Sequence, residues 1–213
     1  MFNKYVALLS LGMLIGLPSQ AQYLTGSIKI GASSANFEGE LAGGATAWEG
    51  ILGIAAGGSI GYELESGLGL MAELLYLRMG AQAPVRYNDF PASLESKITY
   101  LALPVLFQYK LKAGQYFAPR FFAGPAGLFK MDALVAVEDR ETGALFYEED
   151  QSIENLDWGL MFGGGLDFEV SDQTLTLEVR YFGGRMDITK PSGELDGSDL
   201  RNRSVTVMAG ILF

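Results

Sequence analysis

The last stretch of the chain, Arg201–Phe213, constrains the fold most. From Val205 on, Val205, Val207, Ala209, Ile211 and Phe213 occupy one parity, while Asn202, Ser204, Thr206, Met208, Gly210 and Leu212 occupy the other. This period-two alternation between apolar and mostly polar or small residues specifies a β-strand between two unlike environments. The segment is long enough to cross a bilayer at a tilt, which takes about 9–11 residues. It stops on an aromatic residue, as expected of a membrane barrel whose last strand pairs with its first.

Seven earlier segments resemble it. The expected strands are Leu24–Ser33, Ile51–Leu64, Leu68–Gly80, Ile98–Lys112, Tyr116–Lys130, Leu156–Val170 and Thr174–Met186, with Arg201–Phe213 as the eighth. Tight turns at Glu65-Ser66-Gly67, Ala113-Gly114-Gln115 and Ser171-Asp172-Gln173 alternate with long polar loops at Ser34–Gly50, Ala81–Lys97, Met131–Asn155 and Asp187–Leu200. Short periplasmic turns, longer outer loops and an even strand count describe an all-β, eight-stranded antiparallel transmembrane barrel with both termini periplasmic. Leu134–Val137 and Leu145–Tyr147 are expected to extend the flanking strands as a hairpin with Glu141-Thr142-Gly143 at its tip.

The faces follow from parity. In the fourth strand, Leu101, Leu103, Val105, Phe107, Tyr109 and Leu111 should face lipid; in the sixth, Trp158, Leu160, Phe162, Leu166 and Phe168; in the seventh, Leu175, Leu177, Val179 and Tyr181. Opposite them lie charges and glycines, the apolar-out, polar-in pattern. The second and fifth strands alternate less cleanly. Aromatic residues near strand ends, such as Tyr62, Tyr109, Phe117 and Trp158, suit interfacial girdles. Pro104 and Pro125 sit in neighbouring strands at similar distances from one turn, so a local bulge is expected there.

Met1–Ala21 carries Lys4, an apolar run from Val6 to Leu17, and small residues at Ser19 and Ala21. It reads as a cleaved signal peptide, leaving residues 22–213 as the barrel domain. The remaining composition mostly excludes. With no Cys there is no disulfide or thiolate metal site, and with no His the commonest general base is missing. A net charge of −10 argues against a nucleic-acid partner. The Gly163-Gly164-Gly165 run lies within a strand and is no phosphate loop.

Charged residues on the inner parity are Lys29, Glu63, Glu73, Lys110, Arg120, Asp167, Glu169, Glu178 and Arg180. A barrel of eight strands has room inside for side chains but hardly for a channel. Lys29, Glu73, Arg120, Glu178 and Arg180 are therefore expected to pair as a lumen charge network, because buried charges occur paired. Met71, Leu75, Leu77 and Met79 should fill the space beside them. No cofactor and no catalytic group is expected. The Met131–Asn155 loop holds Asp132, Glu138, Asp139, Glu141, Glu148, Glu149, Asp150 and Glu154 against Arg140 alone. Glu148, Glu149 and Asp150 are its candidates for Ca²⁺, and a basic protein is the other partner it would suit; a solvated charge run is the plainer reading. Phe213 is expected at the periplasmic rim, facing lipid and read by the barrel assembly machinery.

Several motifs in order carry a family resemblance. Tyr100-Leu101-Ala102-Leu103-Pro104-Val105-Leu106-Phe107-Gln108-Tyr109, Ala123-Gly124-Pro125, Asp157-Trp158-Gly159, Arg180-Tyr181 with Asp187-Ile188, and Asn202-Arg203-Ser204 through Phe213 resemble the PorT-type outer-membrane barrels of Bacteroidota. Ala102 departs from the Glu usual in that family's fourth strand. The resemblance implies an outer-membrane barrel across residues 22–213. It leaves three roles: a structural or interaction barrel displaying acidic loops, a component of a protein-secretion machine, or a narrow solute channel.

Overall fold

The computed structural model describes residues 22–40, 49–87, 90–111, 117–139, 145–149, 153–170, 173–189 and 199–213. These residues form nine strands: β1 (Gln22–Glu40), β2 (Glu49–Leu64), β3 (Leu68–Tyr87), β4 (Phe90–Lys110), β5 (Phe117–Asp139), β6 (Leu145–Glu149), β7 (Leu156–Val170), β8 (Gln173–Gly184) and β9 (Asp199–Leu212). Eight close into an antiparallel barrel in the order β1-β2-β3-β4-β5-β7-β8-β9, with β9 returning to β1. The short β6 pairs with β5. Closure gives every wall strand a hydrogen-bonded neighbour on both edges, as a lipid environment demands. Among the described residues no helix occurs.

Parity decides the rest. On β4, Leu103, Val105, Phe107 and Tyr109 are exposed while Tyr100, Ala102, Pro104, Leu106 and Gln108 are buried. β7, β8 and β9 alternate in the same sense, with Leu160, Phe162, Leu177, Val179, Val205 and Val207 outward. The less regular strands resolve too. β2 turns Leu52, Ile54 and Ile60 outward, and lines the lumen with Gly53, Ala55, Gly57, Ser59 and Gly61. β5 sends Phe121 and Phe129 out, and Arg120, Phe122, Ala126 and Leu128 in.

The strands run well beyond the expected bounds. Ala81–Lys97, read as a polar loop, is mostly the end of β3 and the start of β4, paired as far as Tyr87↔Phe90. The reason is that most of the inner-face residues are small: Ala81, Ala83, Ala92 and Ser96 are buried beside Leu94, and Ala beside polar neighbours reads as loop in the sequence. β1 likewise continues past Ser33, paired to β9 through Glu40↔Asp199. The hairpin over the Met131–Asn155 region is present, with Val135↔Glu149, Ala136↔Glu148 and Val137↔Tyr147 in register. Its tip at Glu141-Thr142-Gly143 falls outside the described residues, as do Met1–Ala21, Ala113-Gly114-Gln115 and Ser171-Asp172. In the β2–β3 turn, the amide of Gly67 donates to the Leu64 carbonyl at 2.8 Å. Gly67 has φ of 84° and lies against the Lys110 carbonyl, so a side chain there would clash and strain the backbone.

The prolines do not make the expected bulge. Register is the same on both sides of them, Pro104↔Ala126 and Phe107↔Ala123, and only the intervening rungs are missing. The absent N–H removes rungs without adding a residue. The register shift between β4 and β5 lies instead between Thr99 and Tyr100, where β5 contributes the extra residue Met131.

Candidate functional site

The lumen is filled in three layers. The first is ionic. Glu73 on β3 accepts from Lys29 Nζ of β1 at 2.7 Å and from Arg180 Nη1 of β8 at 2.5 Å. Glu178, two residues before Arg180, contacts Arg180 Nη2, Lys29 Nζ at 3.1 Å and Arg120 Nη2 of β5 at 3.3 Å. Arg120 also reaches Asp167 of β7 at 3.4 Å, and Lys110 meets Asp167 at 3.2 Å from the half-exposed rim. Lys29, Glu73, Arg120, Glu178 and Arg180 thus meet in one cluster, each at most 4 % exposed. Three buried cations, Lys29, Arg120 and Arg180, face three buried carboxylates, Glu73, Asp167 and Glu178. The layer is neutral, which is how a low-dielectric interior tolerates charge.

Neutral groups complete it. Arg120 donates to Thr176 Oγ1 at 3.1 Å and Gln108 Oε1 at 3.3 Å. Met71 and Met161 place sulfurs against the cations, at 3.7 Å from Arg120 Nη1 and 3.6 Å from Arg180 Nη1. The Phe122 ring lies 5.2 Å from the Arg180 guanidinium and 5.8 Å from that of Arg120, a shared cation–π contact. Phe122 and Met161 are absent from the sequence reading. Phe121-Phe122 hides its facing in the sequence, but the shared parity of Arg120 and Phe122 was the available signal. Of the other inward candidates, Glu63 is half-buried near the periplasmic mouth and Glu169 is exposed. Glu169 sits at the β7 end, where water reaches it.

The second layer is a tie across the lumen. The Asn202 side-chain amide of β9 donates to Tyr100 Oη of β4 at 3.0 Å and to Asp157 Oδ2 of β7 at 2.8 Å. All three residues are at most 1 % exposed. Each belongs to a different one of the motifs singled out in the sequence, so those motifs converge on one point.

The third layer, toward the long loops, is apolar. Phe37, Leu94, Ile98, Ile153, Ile188 and Leu200 are buried together. Ile153 bridges to Thr189, and the Ile188 amide donates to the Leu200 carbonyl at 2.9 Å, folding two loop segments inward. One carboxylate oxygen of Asp187 fixes this fold by accepting from the Thr189 amide at 3.0 Å and the Leu200 amide at 3.1 Å. Segments expected to be wet outer loops thus help close the barrel's outer mouth.

Phe213 is 74 % exposed on the outer wall. Its amide and carbonyl pair with Gly26, at 2.9 and 2.7 Å, closing the barrel at its lower rim. Its ring lies over Gly26 so closely that a Cβ there would stand 2.6 Å from Cε2. Glu148 and Glu149 fall on β6, and their side chains, like all of Asp150, lie outside the described residues. Among the described residues no acidic cluster is arranged to hold a metal ion.

A closed wall with an apolar outside and a packed, polar inside is the geometry of an outer-membrane barrel. The outer membrane protein β-barrel domain family matches residues 19–189. The chain belongs to this family. As an outer membrane β-barrel domain protein it resides in the outer membrane. No curated protein matches it. Among solved structures, the outer membrane protein OprG from Pseudomonas aeruginosa is 15 % identical over 90 % of this chain and 97 % of its own, with a TM-score of 0.51. Neisserial surface protein A is 14 % identical, covering 88 % and 97 %, with a TM-score of 0.46. Ail, the attachment invasion locus protein of Yersinia pestis, is 15 % identical, covering 89 % and 99 %, with a TM-score of 0.43. At such identities the likeness to OprG is one of fold.

Proposed function

We propose that this outer membrane β-barrel domain protein is a non-conducting, non-enzymatic barrel that holds an acidic segment at the cell surface. A filled lumen carries the reading. Charge, hydrogen-bond and apolar layers succeed one another along the barrel axis, and the ionic layer balances three cations against three carboxylates. An ion would have to displace paired charges to pass. Catalysis is disfavoured because each carboxylate of the ionic layer already faces two or three cations, and the chain has no His. The surface element is the region around β6, with eight acids against Arg140. Its partners would be divalent cations, with Glu148, Glu149 and Asp150 as ligands, or a basic protein.

Met1–Ala21 would deliver the chain through the inner membrane, and Phe213 would mark it for the assembly machinery. Planar-bilayer recording of the purified barrel tests the central claim, with silent membranes expected. Regular conductance steps that vanish with an unrelated barrel of equal purity would reject it in favour of a solute channel. Deletion that blocks secretion of other proteins, with the surface unchanged, would favour the alternative role in a protein-secretion machine.

A further inference from the structure

The tie that joins β4, β7 and β9 carries an imbalance that the ionic layer does not. In the ionic layer every carboxylate faces a cation. Asp157 is 1 % exposed, and among the described residues no Lys or Arg pairs with it. The groups around it are neutral. Tyr100 comes from β4 and Asn202 from β9. The end of β8 offers only backbone, at Gly184, where a Cβ would lie 3.2 Å from Asp157 Oδ2. The amides of Trp158, on the same strand, and of Met186, just past β8, approach the carboxyl as well. An ionised carboxyl buried without a cation costs far more than a lost hydrogen bond, so such a group is found neutralised.

Hydrogen-bond accounting at the tie points the same way. Asp157 Oδ1 and Asn202 Oδ1 are buried and have no hydrogen-bond partner among the described residues. They belong to the two side chains already joined by the 2.8 Å bond from Asn202 Nδ2 to Asp157 Oδ2. While the carboxyl is ionised both oxygens are acceptors, and neither can satisfy the other. A proton on Asp157 Oδ1 turns it into a donor and serves both at once. Exchanging the nitrogen and oxygen of the amide does not remove the need, because the 2.8 Å contact would then set oxygen against oxygen. In either orientation the tie is one hydrogen short.

We propose that the tie holds a proton: Asp157 is a neutral carboxylic acid whose Oδ1–H donates to Asn202 Oδ1, closing an acid–amide ring with the bond from Asn202 Nδ2. An apolar site can keep a carboxylic acid neutral so that it serves as a donor. The ring lies just under the apolar outer mouth. Leu200 is two residues before Asn202, and Ile188, whose amide donates to the Leu200 carbonyl at 2.9 Å, is two residues past Met186. Release of the proton to water would turn the O–H···O bond into repulsion between two oxygens and loosen the floor beneath Ile188 and Leu200. The proton is thus a latch on the outer mouth that alkali opens.

Infrared spectra of the folded barrel in an ester-free detergent test this, starting at about pH 6, where exposed Asp and Glu carboxyls are already ionised. The wild type should show the C=O stretch of a carboxylic acid. Asp157→Asn, whose amide can close the same ring, should fold and lose that band. As the pH is raised the wild-type band should vanish, and hydrogen exchange of the Ile188 amide should increase beyond the increase that Asp157→Asn shows. A wild-type spectrum without the band, or a band that Asp157→Asn keeps, overturns the bound proton. Equal Ile188 exchange in the two proteins after the band has gone overturns the latch. If Asp157→Asn does not fold, the wild type decides alone, because the buried carboxylates of the ionic layer all face cations and leave Asp157 as the source of the band.

Discussion

Removing one charge from the ionic layer should cost more than removing two. In Arg180→Met, Glu73 keeps only Lys29, while Glu178 keeps Lys29 and Arg120. The buried balance moves from three against three to two cations against three carboxylates. Breaking a buried pair from one side costs about 3–5 kcal/mol. Each carboxylate still keeps at least one cation, so the lower end applies, about 3 kcal/mol. The cation–π contact of Arg180 with Phe122 is lost as well, adding about 0.5–1 kcal/mol. Glu73→Gln leaves three cations against two carboxylates and should cost a similar amount, slightly less because the amide oxygen still accepts from Lys29 or Arg180. The double variant restores two against two and should be more stable than either single, a coupling of about 2 kcal/mol or more. Urea unfolding in lipid vesicles, followed by the gel mobility of folded and unfolded barrel, measures all four proteins. If the singles lose nothing, or the double loses the sum of the two, the layer is hydrated and the argument from burial fails.

Three further outcomes follow from the wall, the seam and the tie. The purified protein should need detergent and should migrate differently on a gel before and after boiling; a soluble, unshifted protein would contradict a lipid-facing exterior. Deleting Phe213, or filling its seat with Gly26→Val, should reduce the amount of assembled barrel while export across the inner membrane continues, as read by cell fractionation and immunoblot; equal assembly would refute the rim contact. Asn202→Ala leaves Tyr100 and Asp157 without their shared donor and should cost about 1–3 kcal/mol, whereas Asn202→Asp should cost more, since it sets a second buried carboxyl against Asp157. An Asn202→Ala barrel that unfolds with the wild type would show that water replaces the tie.

Much of the barrel is legible in the chain because a two-sided strand writes its environment into every second residue. β4, β7, β8 and β9 are of this kind, and their facing follows from parity alone. β2 and the upper part of β3 are not, because Gly57, Gly58, Ala81 and Ala83 carry no contrast to read. Inward charge is legible for the same reason: Glu178 and Arg180 share parity on a strand whose other face is Leu and Val.

What parity cannot give is distance around the circumference. Lys29 and Glu178 are 149 residues apart, and only closure of β9 on β1 with a particular register sets one beside the other. The tie of Tyr100, Asn202 and Asp157 likewise exists because three strands happen to aim at one height of the axis. Ile153 and Ile188 turn inward because the mouth above the tie is apolar, which no local pattern reveals. The sequence by itself determined which face of β4, β7, β8 and β9 meets lipid, since that depends on one residue and its neighbours. Which charges meet and how the outer mouth closes were decided by the tertiary structure, since register and curvature are properties of the closed sheet as a whole.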